Sequence, residues 1–335
     1  MKEHIQTLIE GRTLSHNDAY AALTTIMSGE ATPAQIASFL TALRLRGETA
    51  EVVSGAAKAM REVFTPVTSI HPDAVDTCGT GGDGLDTFNI STTAAFVTAG
   101  AGVPVAKHGN RNVSSLSGSA DVLTALGVNI SITPDQMGAC LEQVGLAFLF
   151  APSLHPAMKH AVAPRREIGI RTLFNVLGPI SNPASTRRGI LGVFSEEMVA
   201  LIADALATLD TQHLLVVHGK DGLDEITNTT STFVSEVREG NVKRYEISPT
   251  DFGLPFRSLE ELKGGDPEVN AGITLRILEG EPGAKRDIVL LNAGAAIYTG
   301  GKASSLAEGI EKATTSIDSG AAKQKLDALI DFTNR

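Results

Sequence analysis

The first 65 residues carry apolar positions at helical spacing throughout. Ile5, Leu8 and Ile9 form one short apolar face. Ser15 and Asp18 make a capping-box pattern ahead of Ala22, Leu23, Ile26 and Met27, and Gly29 stops that helix. Thr32, Pro33 and Gln35 open a third helix, with proline at its first position and Ile36, Phe39, Leu40 and Leu43 following up to Gly47. Thr49 begins a fourth through Val52, Val53, Ala56, Met60 and Val63, ended by Pro66. Four short helices of this kind present more apolar stripe than so small a unit can hide. They are expected to pack on a later segment, on a second subunit, or on both.

From Val75 the pattern changes to short apolar runs alternating with helical ones. Residues 103–106, 129–132, 146–150 and 213–217 read as buried strands. Residues 93–99, 118–126, 134–144 and 196–209 read as helices, the third started by Thr133 and Pro134. This alternation argues a mostly parallel sheet covered by helices. Residues 230–247, split by Gly240 and Asn241, read as a hairpin on the sheet edge. Residues 267–278, 289–298, 306–317 and 322–332 read as helices, and Asn292 is a polar oddity inside the second. No internal repeat and no low-complexity segment interrupts the chain.

Polar clusters stand between the apolar runs, and the first is the glycine loop after Val75. Gly79, Gly81, Gly82 and Gly84 free the backbone for positive φ and close approach to a ligand, and successive N–H groups in such a turn suit an anion. Asn89, Ile90, Ser91 and Thr92 then lead into the helix at 93–99, whose N-terminus offers free N–H groups to the same anion. A phosphate or diphosphate is the ligand suggested. The glycines also spell the dinucleotide pattern, but that needs an acid about 20 residues on, and after Asp86 the next is Asp121. No Gly-Lys-Ser/Thr follows, so this is not a P-loop.

An acidic protein must hold such an anion by local means. The net charge is −10 and the pI about 5.3, which argues against a nucleic-acid surface. Local cations gather at Lys159, His160, Arg165, Arg166 and Arg171, ahead of a helix-breaking stretch through Pro179 to Pro183. That context suggests a connection crossing between domains and presenting one or two arginines to a cleft, where a fork suits a planar carboxylate. Asp221, Asp224 and Glu225 follow the strand at 213–217, where oxygen-only ligands favour Mg²⁺. Cys78 and Cys140 are the only cysteines and imply no disulfide framework. His108, His155 and His218 lack the spacing of a zinc site, and no nucleophile with its base can be read off. The N-terminus carries no signal pattern and no apolar run approaches membrane-spanning length, so a cytoplasmic location is expected.

Together, Gly79–Asp83 in the first loop, 89–92, Lys107 to Arg111, 117–121, 171–179, 221–225 and 291–296 resemble the anthranilate phosphoribosyltransferase family, over the whole chain. The resemblance implies an α/β fold: a small N-terminal all-helical domain beside a larger domain with a mostly parallel central sheet flanked by helices, dimerising through the helical part. The division expected is 1–70, with a later contribution from about 165–185, and 71–335. The substrates implied are 5-phosphoribosyl 1-diphosphate and anthranilate, with no nucleic-acid or membrane partner. For the phosphoribosyl diphosphate the resemblance implies Gly79, Gly82, Asp83, Thr87, Asn89, Ile90, Ser91, Thr92, Lys107, His108, Gly109, Asn110, Arg111, Asn112, Val113, Ser114, Ser115 and Ser119. It implies two Mg²⁺ ions on Ser91, Asp224 and Glu225, and anthranilate on Gly79, Asn110 and Arg165, with His108 and Pro179 lining the same channel. The rival readings are a pyrimidine-nucleoside phosphorylase and a non-catalytic nucleic-acid-binding relative. The former would not need two carboxylates for Mg²⁺, and the charge speaks against the latter.

Overall fold

The computed structural model describes residues 1–111 and 116–335. Its N-terminal part is four helices, α1 (Lys2–Ile9), α2 (His16–Met27), α3 (Pro33–Arg46) and α4 (Ala50–Arg61). The Ser15 and Thr32 hydroxyls accept from the N–H groups of Asp18 and Gln35, whose side chains reach back, so both starts are closed capping boxes. Thr49 caps α4 through the Val52 N–H. That helix ends at Arg61, short of the expected Val63, which is 38% exposed. Ile9 also departs from expectation: it is 68% exposed, and within α1 only Leu8 is buried.

The stripes of these helices find their cover later in the chain. Leu23, Phe39, Leu40 and Met60 share one core with Phe174 and Leu177, and with Met198 and Ile202 of the helix Glu196–Ala207. Burying such a side chain is typically worth about 1.5–3 kcal/mol, so the later segment is a structural necessity for the bundle.

Among the described residues seven strands follow: β1 (Val75–Gly79), β2 (Val105–Gly109), β3 (Leu146–Phe150), β4 (Arg188–Gly192), β5 (His213–Gly219), β6 (Thr232–Arg238) and β7 (Asn241–Ile247). They form one sheet in the order β3-β2-β1-β4-β5-β6-β7. The pairings from β3 through β5 are parallel, and β6 and β7 add antiparallel at one edge as the expected hairpin. The opposite face carries a second core against the helices Ile90–Gly100, Ala284–Thr299, Leu306–Asp318 and Ala321–Thr333. Among the described residues no helix is long and apolar enough to cross a membrane.

Three strand expectations need correction. Residues 129–132 form no strand. The Asn129 side chain accepts from the Ser131 N–H in a local turn, and the Asn129 backbone N–H is taken by Thr333 of the last helix. The strand expected at 103–106 starts two residues later, because Pro104 has no N–H for the ladder and contributes only its carbonyl, to Val75. Strand β4 was not expected at all. Its short apolar run lies between Gly189 and Gly192, and a Cβ on Gly189 would fall 2.1 Å from the Asp76 carbonyl oxygen of β1. The basic segment likewise contains a helix, Lys159–Ile168, with Pro164 inside it.

Candidate active site

Strands β1, β2, β4 and β5 all end in glycine, at Gly79, Gly109, Gly192 and Gly219, and sequence-predicted polar clusters lie at the ends of β1, β2 and β5. In open α/β sheets, ligands bind beyond these carboxyl ends. In the loop after β1, Gly81, Gly82 and Gly84 all take positive φ. The Gly81 N–H donates to Asp224 Oδ2 at 2.7 Å, joining the glycine loop to the acidic loop after β5. Two close approaches depend on glycine. A Cβ on Gly79 would lie 2.6 Å from Asp224 Oδ2, and one on Gly192 would overlap the Asp224 carbonyl.

The helix Ile90–Gly100 begins beside this loop with no side-chain cap from Asn89. Asn89 instead donates to the Ser117 carbonyl at 3.1 Å and accepts from Asn270 at 3.0 Å. Its N-terminal N–H groups therefore remain for a ligand or a carboxylate, and the Ser91 N–H already favours the charged form of Glu225. The Thr92 hydroxyl is buried without a hydrogen-bond partner among the described residues. Thr87 lies to one side, bridged to Lys263, and Asp83 accepts from the Leu85 N–H.

Strand β2 delivers Lys107 and His108. Lys107 is buried, and its ammonium donates to the Thr77 carbonyl at 2.6 Å and reaches Ser91 Oγ at 3.3 Å. It thus stands between β1 and the helix start, a fixed positive charge under the anion-fitting loop. His108 faces His155 with Nε2 to Nε2 at 3.2 Å. Burial and the second ring hold His108 down at about 3, and burial holds His155 at about 4, so both are neutral. Past the strand, Ser119 Oγ donates to the Asn110 carbonyl and Arg111 pairs with Asp121 at 3.0 Å. Gly109 is packed so closely that a Cβ would meet Ser119 Oγ at 2.2 Å. Asn112, Val113, Ser114 and Ser115 lie outside the described residues.

Asp224 and Glu225 are half-buried, and both carboxyls are pushed well above the usual range. Burial is the first cause; the charge of Asp83 adds to it at Asp224, and that of Asp224 at Glu225. Asp83, Asp224 and Glu225 repel one another, and the Ser91 N–H faces Glu225; the three are an all-oxygen donor set whose repulsion a hard divalent cation relieves, so the residues fit Mg²⁺. Among the described residues Asp76, Cys78 and His108 also converge, but both Asp76 oxygens already accept, from the His108 N–H and from Asn182. Burial there lifts Asp76 to about 6.

Of the basic segment, Arg171 reaches the glycine loop. It donates to the Gly82 carbonyl and stacks over Phe194 at 4.5 Å. Neither it nor Asn182 was singled out as a site residue from the sequence; only the run of cations hinted at Arg171. Arg165 sits half-buried over the Phe174 ring at 5.1 Å, burial lowers its pKa, and its guanidinium has no hydrogen-bond or ion-pair partner among the described residues. Arg166 is exposed.

A helical bundle set against a mostly parallel sheet, with a glycine loop and paired acids at the strand ends, suits an enzyme that handles a phosphorylated substrate. The chain matches the glycosyl transferase family helical bundle domain over residues 2–63 and the a/b domain of the same family over residues 71–323. It is 54% identical to the anthranilate phosphoribosyltransferase of Acetivibrio thermocellus over 334 residues, which is 100% of this chain and 97% of that protein. The crystal structure of the enzyme of that name from Thermus thermophilus superposes with a TM-score of 0.94 at 43% identity, covering 99% of each chain. That from Saccharomyces cerevisiae, in complex with PRPP and Mg, superposes with a TM-score of 0.90 at 31% identity, covering 99% of this chain and 97% of the other. The chain belongs to the anthranilate phosphoribosyltransferase family, and is a pentosyltransferase.

Proposed function

We propose that the protein transfers the 5-phosphoribosyl group of 5-phosphoribosyl 1-diphosphate to the amine of anthranilate, in the cytoplasm and as a step of tryptophan biosynthesis. The observation that carries this reading is the junction of an anion-fitting glycine loop with a carboxylate pair, through the bond from the Gly81 N–H to Asp224. Gly79, Gly82, Asp83, Thr87, residues 89–92, residues 107–115 and Ser119 bind the phosphoribosyl diphosphate. Ser91, Asp224 and Glu225 hold Mg²⁺, two ions per subunit, and the Saccharomyces cerevisiae relative bound to PRPP and Mg supports this choice of metal. Gly79, Asn110 and Arg165 hold anthranilate, with His108 and Pro179 along its channel.

The bond from C1 of the ribose to the diphosphate breaks with its electron pair leaving on oxygen, the anthranilate nitrogen lone pair forms the new bond to C1, and that nitrogen then gives up one proton to solvent. When bound, Mg²⁺ supplies counter-charge to the departing diphosphate. The loop N–H groups and the Lys107 ammonium add fixed positive ends on the same side, and one such donor is typically worth about 3 kcal/mol. Arg165 and Asn110 orient the aromatic amine rather than activate it.

The reading divides the chain into 1–70, joined by about 165–185, and 71–335. It also makes the protein a homodimer through its helical part, where Ile9 and Leu45 are exposed apolar side chains. The decisive experiment follows anthranilate fluorescence with phosphoribosyl diphosphate and Mg²⁺. Consumption that stops on removing the metal, and is lost in Asp224→Asn/Glu225→Gln, is the expected result. Undiminished consumption by that variant would remove the metal assignment.

A further inference from the structure

A buried side-chain amide in the middle of a helix is unfavourable unless its groups are used. Asn292 is such a residue: it is 1% exposed in the helix Ala284–Thr299, between turns of leucine and alanine. Its Oδ1 accepts from the Ile226 N–H at 2.9 Å. Its Nδ2 donates to the Ile226 carbonyl at 2.9 Å and to the Ile288 carbonyl at 2.9 Å. One planar amide therefore holds both polar groups of a single residue, and that residue directly follows Glu225.

The consequence for the acidic pair is geometric. The Ile226 N–H belongs to the same rigid peptide plane as the Glu225 carbonyl. Gripping Ile226 on both sides fixes the planes on either side of its Cα, and with them the position of the Glu225 Cα from which that side chain leaves. The same helix holds the loop a second time, where Asn228 donates to the Ala284 carbonyl at 2.8 Å. From the outer side Asp221 accepts from the hydroxyls of Thr227 and Thr229 and from the Leu223 N–H. A segment bearing two mutually repelling carboxylates is thus tied to the core immediately behind them.

We propose that Asn292 is a positioning residue for the metal-binding carboxylates, setting where Asp224 and Glu225 stand rather than only completing the core. The proposal rests on the reading of Asp224 and Glu225 as the metal-binding pair. Outer partners that orient metal ligands typically change metal affinity by about 10- to 100-fold when removed.

The test uses the full-length protein with saturating phosphoribosyl diphosphate and no anthranilate, and titrates Mn²⁺ as the stand-in for Mg²⁺, following free Mn²⁺ by electron paramagnetic resonance. Asn292→Ala should weaken Mn²⁺ binding about tenfold, while in separate steady-state assays at saturating metal the Michaelis constant for anthranilate changes less than twofold. Where the alanine variant does not stay folded, Asn292→Ser replaces it, since its hydroxyl can bond back to the preceding helical turn and satisfy itself. Asp224→Asn/Glu225→Gln runs alongside as the reference and should lose Mn²⁺ binding. If the reference variant loses Mn²⁺ while the folded Asn292 variant binds it within twofold of the parent protein, the positioning role is overturned and the metal reading stands. If the reference variant itself binds Mn²⁺ normally, the metal reading falls and the positioning role with it.

Discussion

Arg165→Ala separates the two substrates. In the structure Arg165 is half-buried over Phe174, and among the described residues no carboxylate answers its charge. Its burial already disfavours the charged form, so an incoming anthranilate carboxylate relieves an existing penalty as well as forming a new contact. A charge-assisted pair of this kind is worth about 1.5–3 kcal/mol, and each 1.4 kcal/mol is about tenfold, so the Michaelis constant for anthranilate should rise by about 10- to 150-fold. The cation over the Phe174 ring is worth about 0.5–1 kcal/mol and is lost from stability, not from binding. Arg165→Lys keeps a positive charge but not the two-pronged contact, and should recover only part of the affinity. Arg166 is exposed one position away and serves as the control, with near-normal constants expected for Arg166→Ala. Steady-state fluorescence with each substrate varied in turn reads all of this. A raised constant for phosphoribosyl diphosphate in Arg165→Ala, or a larger effect from Arg166→Ala, would refute the reasoning.

Three further outcomes are expected. Gly79→Ala puts a Cβ 2.6 Å from Asp224 Oδ2 and must dislodge the carboxylate from the Gly81 N–H, so kcat should fall about tenfold or more with the melting temperature little changed; Gly272→Ala, whose Cβ would meet only the flexible Arg276 at 3.5 Å, is the control, and equal activity of the two would sink the idea. Leu45→Glu, at a side chain 83% exposed on α3, should give monomers in sedimentation analysis, and an unchanged dimer would move the interface elsewhere. Glu236 accepts from His213, Tyr298 and Tyr245, which hold its carboxyl at about 2 against an ordinary 4.5. A depressed carboxyl contributes stability above the unfolded value and loses it as the pH falls through the folded one. Glu236→Gln should therefore cost about 1–3 kcal/mol at pH 7, and the gap from the parent protein should close between pH 4.5 and 2 in denaturant titrations; a gap constant with pH would contradict this.

What the sequence disclosed and what it hid divide along the range of the interactions involved. The starts of α2 and α3 were legible because each is set by a hydroxyl and an acid or amide three positions apart, and that of the helix Pro134–Val144 because a threonine stands directly before a proline at the first helical position. The glycine loop and the acid pair were legible for a similar reason, since φ > 0 and oxygen-rich ligation select residue types that stand out singly. Strand β4 was not, because two glycines conceal it and its place is decided by the Asp76 carbonyl of β1, which leaves no room for a Cβ at Gly189. Residues 129–132 alternate like a strand, yet Thr333 from the far end of the chain takes the Asn129 N–H. The grip of Arg171 on Gly82 spans 89 positions and that of Asn292 on Ile226 spans 66, and no local pattern announces either. Asn292 did stand out as a polar residue in an apolar helix, and the physical reason is now specific. An amide at that depth is tolerated because its oxygen and nitrogen are both hydrogen-bonded, and the loop it thereby anchors on the side away from solvent is the one that carries Asp224 and Glu225.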